Sequence, residues 1–171
     1  EDTFSIEHQY LDDDPTATAS DTFDVGVRLR DDDESEVSTA VSATVVNVPP
    51  AIDSLAITES IDEDASATLS GTYSDPGTLD THELDIDWDG DGTYDETVTV
   101  TEGTFSIEHL CLDDGPTATA SDTFDVNVRL RDDDEGEALA AVSATIANVA
   151  PVIDSLTITE SINENESVTL S

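Results

Sequence analysis

Residues 85–96 read DIDWDGDGTYDE, six carboxylates in twelve positions around the chain's only tryptophan. Calcium takes about six to eight oxygen ligands at about 2.3–2.6 Å, and a glycine lets the backbone turn around the ion. Two registers compete for that chemistry. From Asp85 the calcium-loop pattern D-x-D-x-D-G-x5-E is complete, with Asp85, Asp87, Asp89, Gly90 and Glu96. From Asp87 the ligands are Asp87, Asp89, Asp91 and Asp95, with Gly92 at the turn and no closing glutamate. Leu84, Ile86 and Trp88 alternate with Asp85 and Asp87 as in a half-buried strand. Wrapping that strand around an ion removes Trp88 from the core, so the second register is preferred. A metal-free hairpin turn at Asp89-Gly90-Asp91-Gly92 accounts for the same residues, because aspartate and glycine tolerate turn geometry.

Other acids gather between strand-like runs, at Asp12–Asp14, Asp31–Glu34, Asp62–Asp64, Asp113–Asp114 and Asp132–Glu135. An acidic coat adapted to high salt spreads over strand faces as well, whereas a calcium module concentrates carboxylates where loops converge. The clustering favours calcium. In total 42 acidic residues face four arginines and no lysine, for a formal charge of −38. Such a chain repels itself unless cations or salt screen it, which excludes nucleic acid and anionic membranes as partners. No apolar run approaches the ~20 residues of a membrane span. One cysteine, Cys111, rules out an intrachain disulfide, and the absence of lysine rules out a lysine–asparagine crosslink. Bound cations remain as the staple.

The elements that must position these acids are repeated. TFSIEHQYLDDDPTATASDTFDVGVRLRDDDESE from Thr3 returns from Thr104 as TFSIEHLCLDDGPTATASDTFDVNVRLRDDDEGE, and PAIDSLAITESI from Pro50 returns from Pro151. The offset is 101 residues without a gap, and about three-quarters of the paired positions are identical. A period near 100 fits a tandem domain rather than a solenoid unit. NVPPAID and NVAPVID mark the joints. Residues 1–47 then close one domain, 48–148 form a complete one, and 149–171 open a third: a window, out of phase, on a longer array.

Alternation in TFDVGVRLR sets Phe23, Val25, Val27 and Leu29 on one face. SATLSGTY, ELDIDW, TVTV, FSIEH, AVSATVVNV, IDSLAIT and TATAS also read as strands, and no stretch has a helical period. Seven or so short strands per 100 residues, separated by Asp/Gly/Pro/Ser turns, predict an all-β, antiparallel Ig-like sandwich.

At Trp88-Asp89-Gly90-Asp91-Gly92 the sequence resembles the PKD domain, an Ig-like module whose third strand carries Trp-Asp-Phe-Gly-Asp-Gly; the phenylalanine is missing here. His8-Gln9-Tyr10 matches the family's His-x-Tyr, which becomes His109-Leu110-Cys111 in the complete repeat. TFDVNVRLRDDDEGE resembles its penultimate strand and the acidic turn that follows. The likeness covers the whole 101-residue unit. It implies an extracellular spacer without catalysis, of the kind found in microbial surface proteins and beside secreted hydrolases.

In an Ig-like sandwich, Asp12, Asp13 and Asp14 fall near the joint Asn47–Pro50. Across it the next domain presents Asp75 and Asp80 from one loop and Asp132, Asp133 and Asp134 from another. Calcium bridging these loops makes a rigid joint; without it, solvated acidic turns flank a hinge. His8 and His109 are expected to be packed, His82 to be a loop histidine without a partner, and Cys111 to be a small buried apolar residue. Asn165-Glu166-Ser167 is a chance sequon, its counterpart being Asp64-Ala65-Ser66. No nucleophile motif occurs, and no carboxylate pair singles itself out as a glycosidase dyad.

The expected function is a structural repeat of an extracellular adhesin, surface-layer or filament protein. Its partners are neighbouring repeats, with head-to-tail self-assembly as a variant. A binding or spacer module of a secreted hydrolase is the alternative; that role asks for a row of exposed aromatics, and most of the eight aromatics sit at core-facing positions. An acidic halophilic domain without metal is the other.

Overall fold

The structure is a computed structural model that describes residues 3–13, 16–101, 103–113, 115, 117–158 and 161–170. Every regular element among them is a β-strand: β1 (Ser20–Arg30), β2 (Glu36–Val46), β3 (Ala51–Ile57), β4 (Ser60–Asp62), β5 (Ala65–Ser74), β6 (His82–Asp87), β7 (Glu96–Val100), β8 (Thr104–Cys111), β9 (Ser121–Arg131) and β10 (Glu137–Ala147).

Strands β3 to β10 form two facing sheets, β3-β5-β8 and β4-β10-β9-β6-β7. Strand alternation places Leu69 and Tyr73 of β5 and Phe105 of β8 on the inner face of the first sheet. Leu84, Ile86, Val100, Val126, Val128 and Leu130 come from the second, and all pack with Trp88 into one core. Phe105 lies over Gly71, its register partner, where a Cβ would collide with the ring. Among the described residues all pairings are antiparallel except one: the three residues of β4 run parallel to the end of β10. Asp85, on the outer face of β6, is buried under Arg129 and Arg131 of β9 and Thr97 of β7.

Hairpins β1–β2 and β9–β10 occupy positions 101 residues apart with the same internal register. Their surroundings differ. Val126, Val128 and Leu130 are buried against the opposite sheet, whereas their counterparts Val25 and Leu29 are exposed, because among the described residues no sheet covers that face of β1–β2. FSIEH behaves likewise. It is strand β8 beside β5, but residues 4–8 have no regular structure and no ladder partner among the described residues. Val152–Ile158 is the counterpart of β3 but forms no strand, and Ile158 joins Leu170 in an isolated bridge.

TATAS is not a strand in either copy, apart from its final serine. Thr16 Oγ1 donates to Asp21 Oδ2 (2.8 Å), and Thr117 Oγ1 donates to Asp122 Oδ1 (2.7 Å). The backbone N–H groups of both threonines bond the same aspartates. These local bonds compete with a ladder and fold the segment into a bend.

Cys111 is buried, as expected. It lines a cavity of about 290 Å³ with Trp88, His109 and Phe124. The other copy has Tyr10 at this position, its ring 4.9 Å from Phe23, the counterpart of Phe124. His109 stacks on Trp88 at 4.3 Å, a packed role. Cys111→Tyr should fill the cavity and raise stability by about 1 kcal/mol, read as a higher urea midpoint of Trp88 fluorescence with an unchanged m-value.

Candidate metal centre

β2 ends at Val46 and β3 starts at Ala51, so Asn47–Pro50 join the first hairpin to the sandwich. Asn47 is fixed on both sides. Its backbone N–H donates to Ala19 O (3.1 Å), and its Nδ2 donates to Asp132 Oδ2 (2.8 Å) and Asp134 O (3.2 Å) in the β9–β10 turn. A side chain at Gly136 would strike both Asn47 Nδ2 and Asp132; the corresponding turn of the first copy has Ser35.

Asp132 also builds that turn. Its Oδ1 accepts from the N–H groups of Asp134 (3.0 Å) and Gly136 (2.6 Å). Asp133 Oδ1 accepts from Thr81 N–H (2.8 Å), tying the β5–β6 loop to the β9–β10 turn. In the same loop His82 Nε2 lies 3.0 Å from Asp75 Oδ2, both side chains being buried. His82 is therefore not an unpartnered loop histidine; it opens β6 and packs on Tyr73 with its carboxylate partner seven residues upstream.

These contacts bring acids of both halves together. Carboxylate oxygens of Asp12, Asp80 and Asp134 lie within 4.8 Å of one another, as do those of Asp75, Asp80 and Asp132. Asp13 sits beside them, 3% exposed. Asp13 Oδ2 and Asp80 Oδ1 are fully buried and accept no hydrogen bond. An unpaired buried carboxylate oxygen is costly unless a proton or a cation meets it. Burial, then the charges of Asp75, Asp12, Asp132 and Asp133, push Asp80 up to about 7. Burial, then Asp13, Asp133, Asp12 and Asp132, push Asp134 up to about 6. Burial and the charges of Asp12, Asp21 and Asp132 raise Asp13 as well. Of the sequence-predicted joint ligands, Asp12, Asp13, Asp75, Asp80, Asp132 and Asp134 meet here. Asp133 is diverted to Thr81, and Asp14 lies outside the described residues.

The tryptophan loop is a different environment. Asp87 is fully buried, and donors already surround it: Gly90 N–H on Oδ1 (2.7 Å), Gly92 N–H (3.1 Å) and Asn127 Nδ2 (3.1 Å) on Oδ2. Burial alone would raise its pKa, but these bonds outweigh burial and lower it. Gly90 and Gly92 take φ of 72° and 89°, which the loop needs to reach back to Asp87. Asp87, Asp89 and Asp95 hold oxygens within 4.8 Å of one another. Asp91 is outside that group and accepts from Thr93 N–H (2.7 Å). The Asp85 register fails on geometry, because arginines occupy that carboxylate and Trp88 stays in the core. This loop satisfies its central carboxylate internally, whereas at the joint Asp75 and Asp132 have donors but Asp13 Oδ2 and Asp80 Oδ1 have none.

Sequence reasoning placed Asn47 at the joint and His82 in a loop but missed the bonds that each makes. The recurrence of Asn47 as Asn148 before each proline-bearing joint was a usable signal; nothing in the spacing of Asp75 and His82 was.

The joint gives a pH prediction for chelated protein. A carboxylate raised above its unfolded value of 3.8 contributes stability that is full below that value and lost as pH rises through its folded value, here about 7. The metal-free chain should therefore melt higher at about pH 5 than at about pH 8. Asp80→Asn should flatten that slope, and the melting temperature of Trp88 fluorescence across pH measures it.

No known protein family matches the chain, and no curated protein matches it.

Proposed function

We propose that this chain is a structural segment of an extracellular or cell-surface protein, an adhesin stalk, surface layer or filament, built from tandem Ig-like repeats of the PKD kind and stiffened by divalent cations at its joints. Residues 1–47 are the C-terminal part of one repeat, 48–148 a complete repeat and 149–171 the N-terminal strands of the next, and their partners are neighbouring repeats. The observation that carries this reading is the pair of buried oxygens without partners, Asp13 Oδ2 and Asp80 Oδ1, on opposite sides of a four-residue linker. An all-oxygen, mainly carboxylate ligand set favours a hard cation, calcium above all. Asn47 supports the same reading, since it holds the two sides in register while the acids repel. The protein has no catalytic role in this reading.

The test compares calcium with chelator at fixed ionic strength. Calcium should raise the melting temperature and shorten the maximum dimension in small-angle scattering. If neither changes, the reading is wrong. If sodium chloride reproduces both effects in full, charge screening by salt explains the acids and the halophilic alternative replaces it.

A further inference from the structure

Resting on the cation-bridged joint, we infer that the joint holds two divalent cations that share Asp80: one bound within the sandwich by Asp75, Asp80 and Asp132, the other bridging the repeats through Asp12, Asp80 and Asp134. The two ligand groups have only Asp80 in common. Asp80 also lines two cavities. One, of about 120 Å³, lies between the repeats and is lined by Tyr10, Asp12, Asp13, Asn47, Gly77 and Asp80. The other, of about 490 Å³, opens inside the sandwich beside Asp75, Asp80, His82 and Gly103.

Charge points the same way. Asp12, Asp13, Asp75, Asp80, Asp132 and Asp134 bring six formal negative charges together. One divalent ion leaves four uncompensated and two leave two. The unpartnered oxygens fall on both sides of the count. Asp80 Oδ1 belongs to the shared ligand, and Asp13 Oδ2 lies on the segment that only the bridging ion reaches.

The arrangement also sets an order. Asp75, Asp80 and Asp132 all belong to the sandwich, and the bond from Thr81 N–H to Asp133 fixes their two loops against each other. That site is complete before the first repeat docks. The bridging site is complete only once Asp12 and Asp13 arrive.

The experiment titrates calcium chloride into the full chain by calorimetry at fixed ionic strength. The background carries Asp89→Asn and Asp95→Asn, which empty the tryptophan loop yet keep a carbonyl acceptor for Trp88 N–H. Two saturable ions should bind, the second accompanied by compaction in scattering. Asp12→Asn with Asp13→Asn should lose one ion and the compaction, Asp75→Asn should lose the sandwich ion, and Asp80→Asn should lose both. One ion only, abolished equally by the Asp12/Asp13 and the Asp75 variants, overturns the two-ion inference and leaves a bridged joint standing. No saturable binding at all overturns the bridged joint itself. Trp88 fluorescence and circular dichroism confirm that each variant is folded.

Discussion

Asp85→Ala should lower the stability of the sandwich by about 3 kcal/mol, the largest loss expected from a single side chain outside the apolar core. Asp85 is buried and accepts from Arg131 Nε (2.7 Å), Arg129 Nε (3.0 Å) and Thr97 Oγ1 (2.6 Å). Burial would raise its pKa, but these bonds and the arginine charges outweigh burial and hold it down at about 2. Removing it strands two of the chain's four cations. Breaking a buried pair costs about 3–5 kcal/mol; with the arginine side chains 31% and 36% exposed, solvent relieves part of that and the lower end applies. Glu83 and Glu137 offer the arginines second partners, which limits the loss further. The pH signature separates this from a packing defect. A depressed carboxylate contributes stability that is present above its unfolded value of 3.8 and lost as pH falls through about 2. Urea midpoints of parent and variant should therefore differ at neutral pH and converge in acid.

Asp80→Asn should change sign with the buffer. In chelator it removes one charge from a buried group of like charges, and the chain should gain about 1 kcal/mol. In saturating calcium it removes a ligand common to both carboxylate groups. A tenfold loss of affinity is about 1.4 kcal/mol, so the variant should melt below the parent. The swing between buffers is about 2–3 kcal/mol, measured by thermal melts of Trp88 fluorescence. A variant that is destabilised in both buffers points to a structural carboxylate, and one that is stabilised in both points to an acidic patch that takes no cation.

How much of this was legible in the sequence varies by element. Alternation and turn residues were enough for an all-β chain, and they placed β5, β6, β7 and β9 because those strands carry their own apolar face. They were not enough for Phe4–His8 or Val152–Ile158. The same letters form a strand at Thr104–Cys111 only because β5 supplies the ladder. TATAS failed for the opposite reason: its threonines find Asp21 and Asp122 nearby and never need a neighbour. For the site, loop order in an Ig-like sandwich brought Asp12, Asp13, Asp75, Asp80, Asp132 and Asp134 to one end. It gave no way to separate Asp133, whose carboxylate goes to Thr81, or Asp91, which closes a local turn. Those partitions depend on backbone N–H directions, and composition does not encode them.

The two sides of the joint are different surfaces. Asp12, Asp13 and Asn47 come from the chain before β3, while Asp75, Asp80, Asp132 and Asp134 come from the loops of the two facing sheets. In the proposed array such a heterologous contact could not pair with itself about a two-fold axis, so it would favour polar, open-ended growth over closed dimers. The first copy already carries the leading turn in finished form: Asp31 Oδ1 accepts from Asp33 N–H (3.1 Å) and Ser35 N–H (2.8 Å), as Asp132 does from its own turn. Docking thus has little backbone left to order on that side. In the proposed array a string of such units would read in one direction only, and a fragment offering just one of the two surfaces should act as a terminator.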